Sequence, residues 1–150
     1  MSNELVKVED NVLFVLRDEF GNIKQELSCH NLMTTLGKNA LAEYPEASPT
    51  FAKPGWMEVG TGSAGGAGSS ILTSYISGSR TALDSKIAAG AVLTMICTFP
   101  AGVGTGAITE AGIFNVVTQN TTDLLSYSTF SVINKAAGDS LQITWTWTVS

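Results

Sequence analysis

Leu141-Gln142-Ile143-Thr144-Trp145-Thr146-Trp147-Thr148-Val149 alternates without a fault. Leu141, Ile143, Trp145, Trp147 and Val149 fall on one side of an extended chain. Gln142, Thr144, Thr146 and Thr148 fall on the other, because side chains in a strand alternate faces. The apolar face belongs in a core, and the threonine face suits a half-exposed pleated surface. Ala137-Gly138-Asp139-Ser140, just before it, reads as a turn. Trp145 and Trp147 could also form a sugar-stacking platform, but their alignment with Leu141, Ile143 and Val149 favours core packing.

Upstream, Ile108–Val117 and Leu124–Phe130 read as further strands, with Gly112 marking a bulge or a close backbone approach. In Ala91–Phe99, Leu93, Met95, Cys97 and Phe99 share a face, and Pro100 ends the run. Thr81–Ile87 and Trp56–Gly60 complete the set, while Ile71–Arg80 fits a helical turn or a strand equally. Residues 61–70 and 101–106 are glycine-rich loops, and residues 45–55 hold three of the four prolines. At the N-terminal end, Val12–Arg17 and Ile23–Cys29 form a hairpin about Asp18–Asn22. One helix is expected over His30–Tyr44. Asn31 would be its N-cap, Leu32, Leu36, Ala40 and Tyr44 its apolar stripe, and Pro45 its stop. Gly37 weakens that helix and allows another backbone to come close.

Short strands separated by glycine or polar turns predict a mainly β protein: a β-sandwich or compact β-barrel of about seven antiparallel strands, with an N-terminal β-hairpin and one short helix. Residues 1–50 would be a hairpin-plus-helix element that packs on the rest or reaches away from it. Residues 51–150 would be the β-sandwich domain.

Charged residues make up only 14% of the chain, and net charge is −5. Residues 1–50 hold four basic and eight acidic side chains, residues 51–150 four and five. No Lys/Arg cluster exists to neutralise phosphates, so nucleic acid is not an expected partner. So little charge suggests a surface partly covered by other subunits, or one of neutral Ser/Thr sheet. Cys29 and Cys97 lie far apart, and with one histidine, His30, there is no zinc signature. Reduced cysteines and synthesis in a cytoplasm are expected. MSNELVKVED has no apolar core of a signal peptide, and no apolar run reaches membrane-spanning length.

Catalytic chemistry finds little support. Gly60-Thr61-Gly62 and Gly104-Thr105-Gly106 lack the strand-to-helix context and later glycine or lysine of a phosphate-binding loop. Cys29 and His30, adjacent on a strand, would point to opposite faces and make a poor dyad. Glu58, Asp84, Glu110, Asp123 and Asp139 are spread singly over turns and strands. Glu110 lies in an apolar strand and, if buried, needs a partner; Arg80 and Lys135 are the candidates for an ion pair, a backbone clamp the other structural reading. No catalytic residue, metal or cofactor is expected.

The run GVGTGAITEAGIFN, followed by F-x-V-I-N-K-x-x-GDSL-x-ITWT-x-TVS, resembles small structural proteins of tailed bacteriophages. HNLMTTLGKNALAEY and MEVGTG with its glycine loop extend the resemblance upstream. It implies a β-domain in which Gly60, Gly62, Gly104, Gly106, Glu110, Gly112, Lys135, Gly138 and Asp139 hold turns and inter-strand register. Leu72 and Arg80 match the pattern after the loop, whereas Tyr75-Ile76-Ser77-Gly78 replaces its acidic residue. The function implied is a capsid decoration (cement) protein on the virion surface. Its partners would be the major capsid protein and copies of itself, a trimer being favoured. Val6, Val8, Val12, Phe14 and Phe20 would belong to the capsid-facing arm. The alternative is a tail-fibre or baseplate module that binds another tail protein or a host surface glycan.

Overall fold

The computed structural model describes residues 6–150. The chain is mainly β, with one short helix and an N-terminal hairpin. In order come β1 (Val8–Arg17), β2 (Ile23–Met33), α1 (Thr35–Glu43), β3 (Trp56–Gly60), β4 (Thr81–Ala82), β5 (Ser85–Ala89), β6 (Val92–Phe99), β7 (Gly106–Phe114), β8 (Leu124–Lys135) and β9 (Ser140–Val149). All pairings are antiparallel, in the order β4-β3-β7-β8-β2-β1-β9-β6-β5, and the sheet curls into a half-barrel. There are thus nine strands rather than about seven.

The hairpin lies at the centre of the sheet. β1 pairs along its whole length with β9, from Val8↔Val149 to Arg17↔Ser140, and on its other side with β2. No boundary near residue 50 interrupts this sheet, and Val12 and Phe14, expected on an arm, are only 1% exposed. Phe14 meets Phe130 with ring centroids 4.2 Å apart. Their alternation in an apolar strand suits a core as well as an arm, and pairing with β9 decides for the core. Val6 and Phe20 do stand exposed, and Val8 is half-buried.

Three strands stack their inward residues in layers. Leu16–Leu141–Phe99, Phe14–Ile143–Cys97, Val12–Trp145–Met95 and Asp10–Trp147–Leu93 run across β1, β9 and β6. Met57 and Val59 of β3, Ile108 and Ile113 of β7, and Leu125 and Ile133 of β8 complete the same core. Each large apolar side chain fully buried there contributes about 1.5–3 kcal/mol. Leu72, Phe114, Leu124 and Tyr127 form a second, smaller cluster.

Two local expectations change. Thr81–Ile87 is two strands, because Leu83 N–H donates to Gly55 O (2.9 Å) and Asp84 N–H to Ile96 O (2.7 Å). The chain thereby passes from β3 to β6, from one end of the sheet to the other. The helix begins at Thr35, five residues later than the His30 start its sequence suggests. His30 and Asn31 pair with β1, and Leu32 and Met33 with β8, so the strand ladder overrides helical spacing. Thr34 is the cap: its Oγ1 accepts from Gly37 N–H (3.0 Å) and donates to Leu124 O (2.6 Å), tying α1 to β8. A Cβ on Gly37 would meet the Leu125 carbonyl group and stand 2.7 Å from Met33 Cγ. Glycine lets the helix lie against the strand.

Deleting residues 1–29 takes β1 and most of β2 out of the middle of the sheet. The truncated chain should lose its cooperative thermal transition by circular dichroism. A sharp transition would mean that residues 30–150 fold alone.

Candidate functional site

The glycine loop after β3 converges on Glu110. This carboxylate projects from β7 and is fully buried. Its Oε1 accepts from Ser74 N–H (2.7 Å), and its Oε2 from Thr73 N–H (3.1 Å) and the Tyr127 hydroxyl (2.7 Å). Neither Arg80 nor Lys135 is its partner. Two backbone amides satisfy the charge instead, which makes Glu110 a clamp on the segment following the loop. Gly60 and Gly62 sit against it. A Cβ on Gly60 would meet Glu110 Oε1 and lie 2.6 Å from Ser74 O, and one on Gly62 would lie 2.5 Å from Thr73 Cβ. Thr109 Oγ1 donates to Gly62 O (2.8 Å), and Gly65 N–H to the Tyr127 hydroxyl (3.2 Å). Burial, helped by Glu110, pushes the Tyr127 phenol above its ordinary value.

Arg80 heads a second buried network. Its Nε donates to Glu58 Oε2 (3.1 Å), and its Nη1 to Asp123 Oδ2 (3.2 Å) and to Val116 O. The guanidinium carbon stands 3.7 Å from the Phe114 ring centroid. Gln119 donates to Glu58 Oε2 (2.7 Å) and Ile76 O (3.0 Å) and accepts from Gly78 N–H (2.7 Å). One cation thus serves two buried carboxylates. Burial pushes the Glu58 carboxyl up, and Gln119 and Arg80 pull it back.

The other anticipated turn and register residues are dispersed. Asp139, at the turn before β9, accepts from Lys24 Nζ (2.6 Å) and Ala136 N–H (2.9 Å), and the Lys24 bond holds its carboxyl below the ordinary range. Lys135 is buried and donates to Pro100 O (3.0 Å); Gly138 lies in the same turn as Asp139. Gly104 has φ +67°, which glycine tolerates best, with its Cα facing Val59. Gly106 opens β7 opposite Lys135, and Gly112 lets Leu124 pack against the strand.

Leu141, Ile143, Trp145 and Trp147 of β9 are buried in the core, so the two tryptophans present no paired stacking platform. Beside them lies a polar group that the sequence alone did not single out. Asp10 is buried; its Oδ2 accepts from Trp145 Nε1 (3.2 Å), while its Oδ1 has no hydrogen-bond partner. Directly across from it on β2 stands Asn31, whose Nδ2 is also unpartnered. Trp147 Nε1 donates to Ser126 Oγ (2.9 Å). Burial raises the Asp10 carboxyl above its ordinary 3.8, opposed by the bond from Trp145 and by the nearby polar groups of Ser126 and Trp147. Burial likewise raises the Cys29 thiol, and holds Cys97, with Asp84, at about 12. Both cysteines are free, and at neutral pH both are thiols rather than nucleophilic thiolates.

An apolar cleft of about 420 Å³ lies where α1, β1, β6 and β9 approach one another. Val8, Leu41, Val92, Leu93 and Val149 form its walls, and Lys53 and Lys86 contribute the charged groups. Lys53 Nζ stands 4.0 Å from the Tyr44 ring centroid, and Lys86 Nζ donates to Pro54 O (2.6 Å). Burial and then Lys53 lower the Lys86 ammonium. Lys53 and Lys86 are isolated in sequence, so no spacing pattern announces the cleft.

Among the described residues, no three His, Cys, Asp or Glu side chains gather as a metal-binding group, and no helix is long and apolar enough to cross a membrane. No family model, no curated protein and no solved structure matches the chain.

Two substitutions examine these networks. Arg80→Met leaves Glu58 and Asp123 buried without their cation and should destabilise the fold by about 3–5 kcal/mol in urea unfolding. A change under about 1 kcal/mol would mean that the Arg80 pairing is energetically idle. Asp10 has its folded-state pKa raised, so its contribution is fullest below 3.8 and is lost as pH rises through the raised value. Asp10→Asn should therefore raise the melting temperature relative to the parent at pH 7, and the difference should shrink as pH falls toward 4. A difference independent of pH would show that titration of Asp10 is not its cause.

Proposed function

We propose that this chain is a non-enzymatic bacteriophage virion structural protein, a capsid decoration protein that binds the shell together with copies of itself. The observation that carries the reading is where the polar groups go. Glu110, Glu58, Asp123, Arg80, Asp139 and Asp10 all enter internal bonds that fix loops and strands, and none lines the apolar cleft; Asp123 and Asp139, which border smaller hollows, are engaged there by Arg80 and by Lys24. The exterior left behind is poor in charge and carries exposed apolar side chains, among them Phe20 (81% exposed) at the β1–β2 turn and Ile23 beside it.

Such a surface suits repeated shallow contacts on a lattice, where many weak attachments sum through multivalency. The shell-facing contact then falls to the exposed hairpin tip, Phe20 and Ile23, in place of Val12 and Phe14. The resemblance of GVGTGAITEAGIFN and GDSLQITWTWTVS to phage structural proteins supports the virion setting. A homotrimer on the capsid surface is the arrangement this reading favours, and a tail protein or host glycan is the alternative partner.

Copy number in purified virions tests the reading. Quantitative mass spectrometry should give hundreds of copies, comparable to the major capsid protein. A dozen or so would assign the chain to the tail, and none would remove it from the virion.

A further inference from the structure

We propose that the apolar cleft beside β5 receives an extended, acidic and apolar peptide segment of a partner protein, which adds to β5 as a further strand. The inference stands on the cleft and the sheet edge, and holds whichever particle or complex the chain belongs to.

β5 ends the sheet. It pairs with β6 on one side, and among the described residues no strand covers the other. Natural edges are usually protected by charge, proline or bulges, because their free amides and carbonyls recruit other strands. β5 carries one charge, Lys86, and beyond it Ile87-Ala88-Ala89 is apolar and exposed, Ile87 to 64%. Ala88 lines the cleft, as does Leu93 opposite it on β6, so one incoming chain could pair with the edge and lower side chains into the near end of the cleft. This is the geometry of strand addition: main-chain bonds supply affinity, and a neighbouring pocket reads alternate side chains.

Charge selects the occupant. Every charged group lining the cleft is a lysine, in a chain of net charge −5. The nearest carboxylate on α1, Glu43, is already engaged: it accepts from the Thr50 hydroxyl (2.6 Å) and Phe51 N–H (3.0 Å). Lys53 and Lys86 therefore face the cleft without an acidic partner in the same wall, and a carboxylate on the incoming segment would relieve their mutual repulsion. Two lysines are too few for a polyphosphate backbone, and a fatty carboxylate would leave the β5 edge unused.

The test uses the full chain, labelled with ¹⁵N, and a capped peptide of alternating threonine and valine ending in two aspartates. Saturable shifts and slowed hydrogen exchange at the Ile87–Ala89 amides are expected. The same peptide ending in two lysines should leave the spectrum unchanged. The double substitution Lys53→Gln, Lys86→Gln should weaken binding about tenfold, while Lys53→Arg, Lys86→Arg should keep it. Equal binding of both peptides, or of neither, overturns the proposal. So does decanoate filling the cleft with the β5 amides undisturbed, which would assign it to a small amphiphile. Concentration-dependent self-association that Lys86→Glu abolishes would assign it to a second copy and overturn the proposal as well.

Discussion

The pairing of β1 with β9 is the constraint on which the rest of the structure depends. Ten successive residues at the start of the described chain align with ten at its end, from Val8↔Val149 to Arg17↔Ser140. Bringing together positions so distant in sequence costs on the order of 4 kcal/mol of loop-closure entropy before any contact is gained. The four layers across β1, β9 and β6 return far more than that, since Val12, Phe14, Trp145, Met95 and Phe99 are all almost completely buried. Once these strands are joined, β2 must lie on the outer side of β1. Its last two residues then reach β8, at Leu32↔Tyr127 and Met33↔Ser126, and link the two halves of the curled sheet. A topology dominated by such distant pairings belongs to the slowly folding class.

The segment from Gly60 to Arg80 has few apolar residues with which to hold itself to the sheet. Its order comes from polar groups reaching out of well-packed strands. Glu110 on β7 grips the amides of Thr73 and Ser74, and Glu58 on β3 and Asp123 before β8 grip Arg80. Each carboxylate is buried and would be costly alone. Bonded to amides or a guanidinium, the same groups fix a glycine-rich stretch in one conformation. A composition that suggests flexibility therefore accompanies a segment with defined partners, and Leu72 can anchor the small cluster with Phe114 and Tyr127 beneath it.

What the sequence discloses follows from where each signal originates. β9 is legible because its period of two is complete over nine residues and needs no partner to be recognised. β6 is legible for the same reason, β7 only as an apolar run bounded by turn residues, and Gly37 and Gly112 mark candidate close approaches because a glycine inside an element otherwise weakens it. The centrality of the hairpin is not legible: Val12 and Phe14 have the same pattern whether they meet a neighbour or β9. His30–Met33 misleads because helical spacing is a local property, while its pairing with Asn11, Asp10, Tyr127 and Ser126 is not. Glu110 stands out as a charge in an apolar strand, but two of its three partners are backbone amides, which no residue type encodes, and the third is Tyr127 on the neighbouring strand. Asp10 escapes notice because the indole that binds it lies 135 residues away.

One consequence joins the interior to the exterior. A chain with 14% charged residues that turns several of them inward has few left for its surface. Net charge and its repulsion are what keep many proteins apart in solution. Here that barrier is low, while Phe20, Ile23, Ile87 and Val117 are each more than half exposed. Phe20 and Ile23 lie at the β1–β2 turn, and Ile87 lies on the terminal strand β5, which retains hydrogen-bonding groups on its uncovered side. The polar networks that stabilise the loops and the weakly charged outer surface are therefore two results of one allocation of charge. Substitutions that free an internal carboxylate act on the fold, whereas charges added at Ile87 or Phe20 act on association without touching the core.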